Sequence, residues 1–282
     1  MDESRKPVGR SSPIFVGRIA LPQDHGSWVF LLSPLLIGLS AGGSLSLASL
    51  FLVAAALAAF LARQPVTVAV KILAGRRPRQ DLPAAVFWIL VYAAVGAAAL
   101  AGIALQGFAR VLILAAPGLP VFAWHLYLVS RRAERKQPGV EIAATGVLAL
   151  AAPAAYWVGT GSTTPVGWAL WLLNWLQSAA SIVHAYMRLE QRSLTERPSR
   201  ARRWEMGRRA VLYTSFNLIL ALGASLAGAL PPLLPLPFLL QWMETLWGSA
   251  HPAIGLKPTR IGVRQLLVSS AFTLLFILVW RI

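Results

Sequence analysis

Six polar residues in one apolar stretch share a helical face. Asn174, Gln177, Ser178, Ser181, His184 and Arg188 follow one another at spacings of three or four, apart from one adjacent pair. On an α-helix they form a stripe about 120° wide and about 21 Å long. A second stretch repeats the pattern with Gln241, Glu244, Thr245 and Gly248. Asp24 and His25 stand at the head of the first apolar run, and Arg63 and Lys71 follow the second. Guanidinium and ammonium groups grip anions, and histidine exchanges a proton near neutral pH. The expected ligand-binding set is therefore Arg63, Lys71, Asn174, His184 and Arg188. The expected acid–base set is His25 paired with Asp24 or Glu244.

A plainer reading applies to the same residues. Asn, Gln and Ser hold membrane helices together for about 1 kcal/mol or less each. A histidine at a helix end, such as His125, sits well in the headgroup layer, and an arginine near a helix end snorkels to it. Glu244 is harder to treat this way. It is the acid that falls within an expected span and away from a loop, so it calls for a cationic partner or a role.

These residues need helices to carry them, and composition says which kind. Of 282 residues, 57% are hydrophobic and only 13% are charged, where a soluble domain averages about one quarter charged. Apolar runs near 26–43, 45–62, 84–105, 109–129, 141–159, 166–186, 209–229, 232–248 and 263–280 predict nine membrane helices. The eighth opens on Pro231-Pro232 and is short, so a tilted, broken or re-entrant form of it stays open. Pro117, Pro120 and Pro153 are candidate breaks elsewhere. With the N-terminus inside, 24 of the 26 Lys and Arg residues fall on one face, leaving Arg110 and Arg281 opposite. The positive-inside rule thus predicts N-in, C-out and places the polar groups at the cytosolic face. The expected organisation is a cytosolic segment over 1–24 and one transmembrane domain over 25–282, with no cleaved signal.

Much chemistry is excluded. There is no cysteine, so disulfides and thiolate sites are absent. No spacing suits a metal, and there is no Walker-type loop, nucleophile elbow or carboxylate pair; no cofactor is assigned. The net charge of +16 and the arginine run 197–209 with Trp204 would suit RNA in a soluble protein. Between membrane helices they predict anionic lipid as partner, through a loop or an interfacial helix, and no nucleic acid.

Pro22-Gln23-Asp24-His25-Gly26-Ser27-Trp28, followed by Pro34 and Gly38, resembles the YwiC-like family of bacterial membrane proteins. Those carry a Pro-x-(Glu/Asp)-His-Gly-(Ala/Ser)-Trp lead into the first helix, and the likeness is expected to run through most of the chain. It implies a multi-pass protein of the bacterial plasma membrane. A looser similarity is to the UbiA-type prenyltransferases, which have nine helices, lie N-in and work at the cytosolic face. They hold a prenyl diphosphate through magnesium on two aspartate motifs. Laid without gaps on this chain, the first motif falls on Arg63 to Lys71, with Gln64, Thr67 and Lys71 at the aspartate positions. The second falls on His184 and Arg188. The resemblance therefore implies an all-α, UbiA-like bundle with cations where that family has acids. Three functions follow as expectations. The first is binding of an anionic, isoprenoid-type lipid, with prenyl-type group transfer if the protein is an enzyme. The second is proton-coupled transport, and the third a non-enzymatic membrane subunit. The oligomeric state is not legible.

Overall fold

The apolar runs fold as helices, and the charged residues lengthen them. The computed structural model describes residues 17–22, 26–134 and 137–282. Its helices are α1 (Gly17–Ala20), α2 (Ser27–Gly42), α3 (Leu47–Leu73), α4 (Leu82–Ile103), α5 (Gly118–Ser130), α6 (Pro138–Ala149), α7 (Ala151–Thr160), α8 (Pro165–Arg192), α9 (Arg200–Leu226), α10 (Pro235–Ala250) and α11 (Pro258–Trp280). No strand occurs among the described residues. Six segments are long and apolar enough to cross a membrane: Leu47–Leu73, Arg79–Ala115, Pro138–Thr160, Pro165–Arg192, Arg200–Leu226 and Pro258–Trp280. The chain is an all-helical, multi-pass membrane protein.

Each of the nine expected passes has a helical counterpart, and three are short. At about 1.5 Å per residue, α2 and α10 reach about 24 Å against a hydrocarbon core of about 30 Å. α5 is shorter still, but a 3₁₀ segment over Ala109–Ala115 leads into it. The prolines mark the irregular places. Pro117 caps α5. Pro153 lacks an N–H and follows the break between α6 and α7, where Leu150 N bonds Val147 O instead of continuing the α-helix. The Gly146 carbonyl beside that break accepts from Trp171 Nε1, and Ile142 O accepts from Trp175 Nε1.

Two helices run well past their apolar stretch. α3 continues to Leu73 and carries Arg63 and Lys71 on helix. α9 begins at Arg200, so most of the expected arginine loop is helix continuous with the membrane span. Arg, Ala, Glu and Met are good helix formers, and the Ser199 side chain caps the start by accepting from Arg202 N.

Close packing fixes the arrangement. α2 carries Gly38 and Gly42 four residues apart, and a methyl at Gly38 would collide with the Ala152 backbone of α7. Gly42 lies against Gly159 in the same way. On its other side α2 meets α11, where Ser33 and Thr273 share a hydroxyl bond. Leu170 and Leu173 of α8 pack with Phe238, Phe272 and Phe276 of α10 and α11. A separate cluster joins Leu35, Leu52, Ile103, Leu114 and Trp157. α8 is central, and its polar stripe is buried between its neighbours.

Candidate functional site

The α8 stripe first acts as an adhesive. Gln241 Nε2 of α10 donates to Gln177 O at 2.9 Å and to Ser181 Oγ at 3.0 Å. Gln265 Nε2 of α11 donates to Ser181 O at 2.7 Å. Asn174 Nδ2 turns back to Leu170 O of its own helix, and Gln177 Nε2 donates to Ser181 Oγ. Such bonds satisfy polar groups that lipid cannot, and they fix the register of α8, α10 and α11.

Beyond Ser181 the three helices part and leave a pocket of about 70 Å³. His184 and Arg188 of α8, Gln241, Glu244 and Trp247 of α10, and Arg260 and Arg264 of α11 line it. α11 is thus a third wall beside the two expected. Gly248 lets the walls close, because a methyl there would come within 2.7 Å of His184 Cε1.

Arg188 is only 4% exposed. Its Nη1 donates to Gly248 O at 2.7 Å, to His251 O at 2.5 Å and to Gln191 Oε1 at 2.9 Å. It therefore caps the C-terminal end of α10, where carbonyls lack helical partners and the dipole favours a cation. Arg203 Nη1 adds a bond to Ala250 O, and Arg192 Nε one to Leu256 O. These three arginines read in sequence as a ligand contact and two topology signals. Their backbone acceptors lie 47 to 64 positions further on, so spacing within one segment gave no sign of them.

Arg264 is held differently. Its Nε and Nη2 donate to the two oxygens of Glu244 at 2.6 and 2.8 Å, and its guanidinium lies 3.7 Å over the Trp247 ring. The cationic partner that Glu244 called for is Arg264. A carboxylate clamped in this way orients a guanidinium, and Arg264 Nη1 remains outside the clamp. Two buried atoms among the lining residues have no hydrogen-bond partner: His184 Nδ1 and Gln241 Oε1. An unpaired buried polar atom costs about 1–3 kcal/mol.

The remaining candidates lie elsewhere. Arg63 Nη2 donates to Ser27 Oγ at 3.3 Å beside the start of α2. Lys71 sits 3.8 Å from Glu134, which Arg76 grips through both oxygens at 2.8 and 3.3 Å. Arg76 holds the Glu134 carboxyl below its usual value. Neither Arg63 nor Lys71 lines the pocket. The structure brings together His184, Arg188 and Glu244, and separates Arg63, Lys71 and Asn174 from them. Asp24 and His25 lie outside the described residues.

These contacts put both assemblies at one end of the bundle. The parallel helices α2 and α11 start there, and α3, α5, α8 and α10 end there.

Residues 21–156 match the YwiC-like protein family. The YwiC-like match begins one residue before the Pro22–Trp28 lead that suggested it. It ends in α7, so it covers just under half the chain rather than most of it. The YwiC-like segment holds the Arg63, Lys71 and Glu134 assembly, and the pocket of α8, α10 and α11 lies beyond it. No curated protein and no solved structure matches the chain.

The magnesium of UbiA-type enzymes has no acids to hold it at the two comparable windows. Gln64 Nε2 donates to Arg18 O, Thr67 Oγ1 donates to Arg63 O, and Lys71 pairs with Glu134. His184 and Arg188 occupy the second window. Glu134, beside Lys71, and Glu244, which lines the pocket with His184 and Arg188, are each engaged by an arginine. These residues do not fit the metal.

Proposed function

We propose that the pocket between α8, α10 and α11 receives the anionic headgroup of a membrane amphiphile, with a phosphate-bearing isoprenoid as the class it suits. The observation that carries this reading is charge. Arg188, Arg260 and Arg264 line the pocket with Glu244 as its one acid, beside the unpartnered His184 Nδ1 and Gln241 Oε1. Size supports a headgroup rather than a whole ligand. Pockets for drug-sized molecules run to about 300–1,000 Å³, several times this one. A phosphate fits, and its chain would leave along the apolar outer face of α11, where Leu267 and Leu274 are exposed. Arg264, oriented by Glu244 and Trp247, is the first contact. Gln241 Oε1 accepts from a hydroxyl or water, and His184 donates to the phosphate.

The same reading places the pocket at the cytosolic face of a bacterial plasma membrane, in a bundle arranged like UbiA-type proteins.

The test compares farnesyl monophosphate with farnesol as melting-shift ligands for the detergent-purified protein. Farnesyl monophosphate should raise the melting temperature, farnesol should not, and Arg260→Ala with Arg264→Gln should remove the shift. An equal shift in the double variant, or an equal shift from farnesol, overturns the proposal.

A further inference from the structure

α9 carries a second cationic surface, on the side of α10 away from the pocket. Trp204, Glu205, Arg208, Val211 and Leu212 form a shallow, open groove along its outer face. Trp204, Arg208 and Leu212 are successive i, i+4 neighbours, so a single ligand lying along the helix meets all three. Trp204 is 40% exposed and Leu212 62% exposed. The acid in the groove is already paired, since Glu205 accepts from Arg202 Nη1 at 2.7 Å. Arg203 turns inward to Ala250 O. Arg208 and Arg209 therefore give the exposed end of α9 an unbalanced positive charge.

The polarity changes within one turn. N-terminal to Arg209 the exposed face is charged; from Leu212 onward it continues through Phe216 and Ile219, both exposed and apolar. That is the profile of a headgroup boundary, with an aromatic and arginines at its polar side.

We propose that this groove holds one anionic phospholipid of the surrounding leaflet. Its phosphate meets Arg208, its headgroup lies under Trp204, and one acyl chain follows Leu212, Phe216 and Ile219. Charge complementarity selects the occupant. A zwitterionic lipid offers the same chains, but its choline cation meets an already cationic surface. The proposal is independent of the α8–α10–α11 pocket and uses none of its residues.

The experiment places the full chain in nanodiscs of phosphatidylcholine with increasing phosphatidylglycerol, then counts retained lipids by native mass spectrometry after mild detergent extraction. The wild type should retain phosphatidylglycerol over phosphatidylcholine. Arg208→Ala should retain about fivefold less of it, as one lost arginine contact near an anionic surface implies. Arg208→Lys should recover most of the retention, and Trp204→Ala should shorten it. Arg110→Ala, at an exposed arginine that lines neither site, should leave it unchanged, and added inorganic phosphate should not compete. These positions are exposed, so each variant should melt as the wild type does in pure phosphatidylcholine. Equal retention of both lipids by the wild type, or undiminished retention by Arg208→Ala, overturns the proposal.

Discussion

Arg188 shows how one side chain can serve packing where charge alone suggested ligand contact. Its Nη1 is spent on Gly248 O, His251 O and Gln191. Arg188→Ala should therefore cost about 2–3 kcal/mol, because a buried carbonyl and Gln191 lose a charged donor. Arg188→Lys should recover little, since an ammonium cannot reproduce the planar fork. Arg264→Gln, at a half-exposed ion pair, should cost about 1 kcal/mol or less. Thermal melts of the three variants in one detergent check this. A larger loss for Arg264→Gln than for Arg188→Ala would contradict the assignment of roles. The stripe from Asn174 to Arg188 was legible because helical periodicity is a local property. Arg264 was not legible as part of the site. It stands at the head of its own helix, and only tertiary packing brings it over Trp247 and against Glu244.

Between elements, the decisive contacts are a glycine crossing and a loop clamp. Gly38→Ala should weaken the α2–α7 crossing by about 1–3 kcal/mol, as overpacking does, because the collision is with backbone that cannot rotate away. Gly96→Ala in α4, where the nearest atom lies at 3.7 Å, is the control and should be close to neutral in the same melt. The clamp is Glu134, gripped by Arg76 and near Lys71 across two loops. Its carboxyl is held below the ordinary 4.5. A depressed folded-state value means the clamp contributes fully above about pH 4.5 and is lost as the pH falls through the lowered value. Melting temperature should thus drop more steeply below pH 4.5 in the wild type than in Glu134→Gln, which should be less stable at pH 7. Parallel pH profiles would show that the clamp does not contribute. The nine apolar runs foresaw the helices, and Pro153 foresaw the break between α6 and α7. The true ends of α3 and α9 were hidden, because an apolar run reports where lipid is and not where helix hydrogen bonding stops.

At the scale of the whole molecule, the contacts sort the cations onto one end. Arg63, Arg76, Arg188, Arg192, Arg203 and Arg264 all bond groups at the end where α8 and α10 finish. Arg281 bonds Ser40 at the opposite end, near Gly159 and the Ser44 turn. The positive-inside rule then predicts that the arginine-rich end faces the cytosol, and the absence of cysteine makes that directly measurable. Ser193→Cys lies in the exposed turn after α8, and Ser162→Cys in the exposed turn before it. In intact cells a membrane-impermeant maleimide should label Ser162→Cys and spare Ser193→Cys; inside-out vesicles should reverse the result. Because the two positions flank a single span, opposite labelling also establishes that α8 crosses the membrane. Labelling of Ser193→Cys in intact cells would turn the bundle over. The arginine pocket and the α9 groove would then face the outside, and the lipids of that leaflet would be the ones to test.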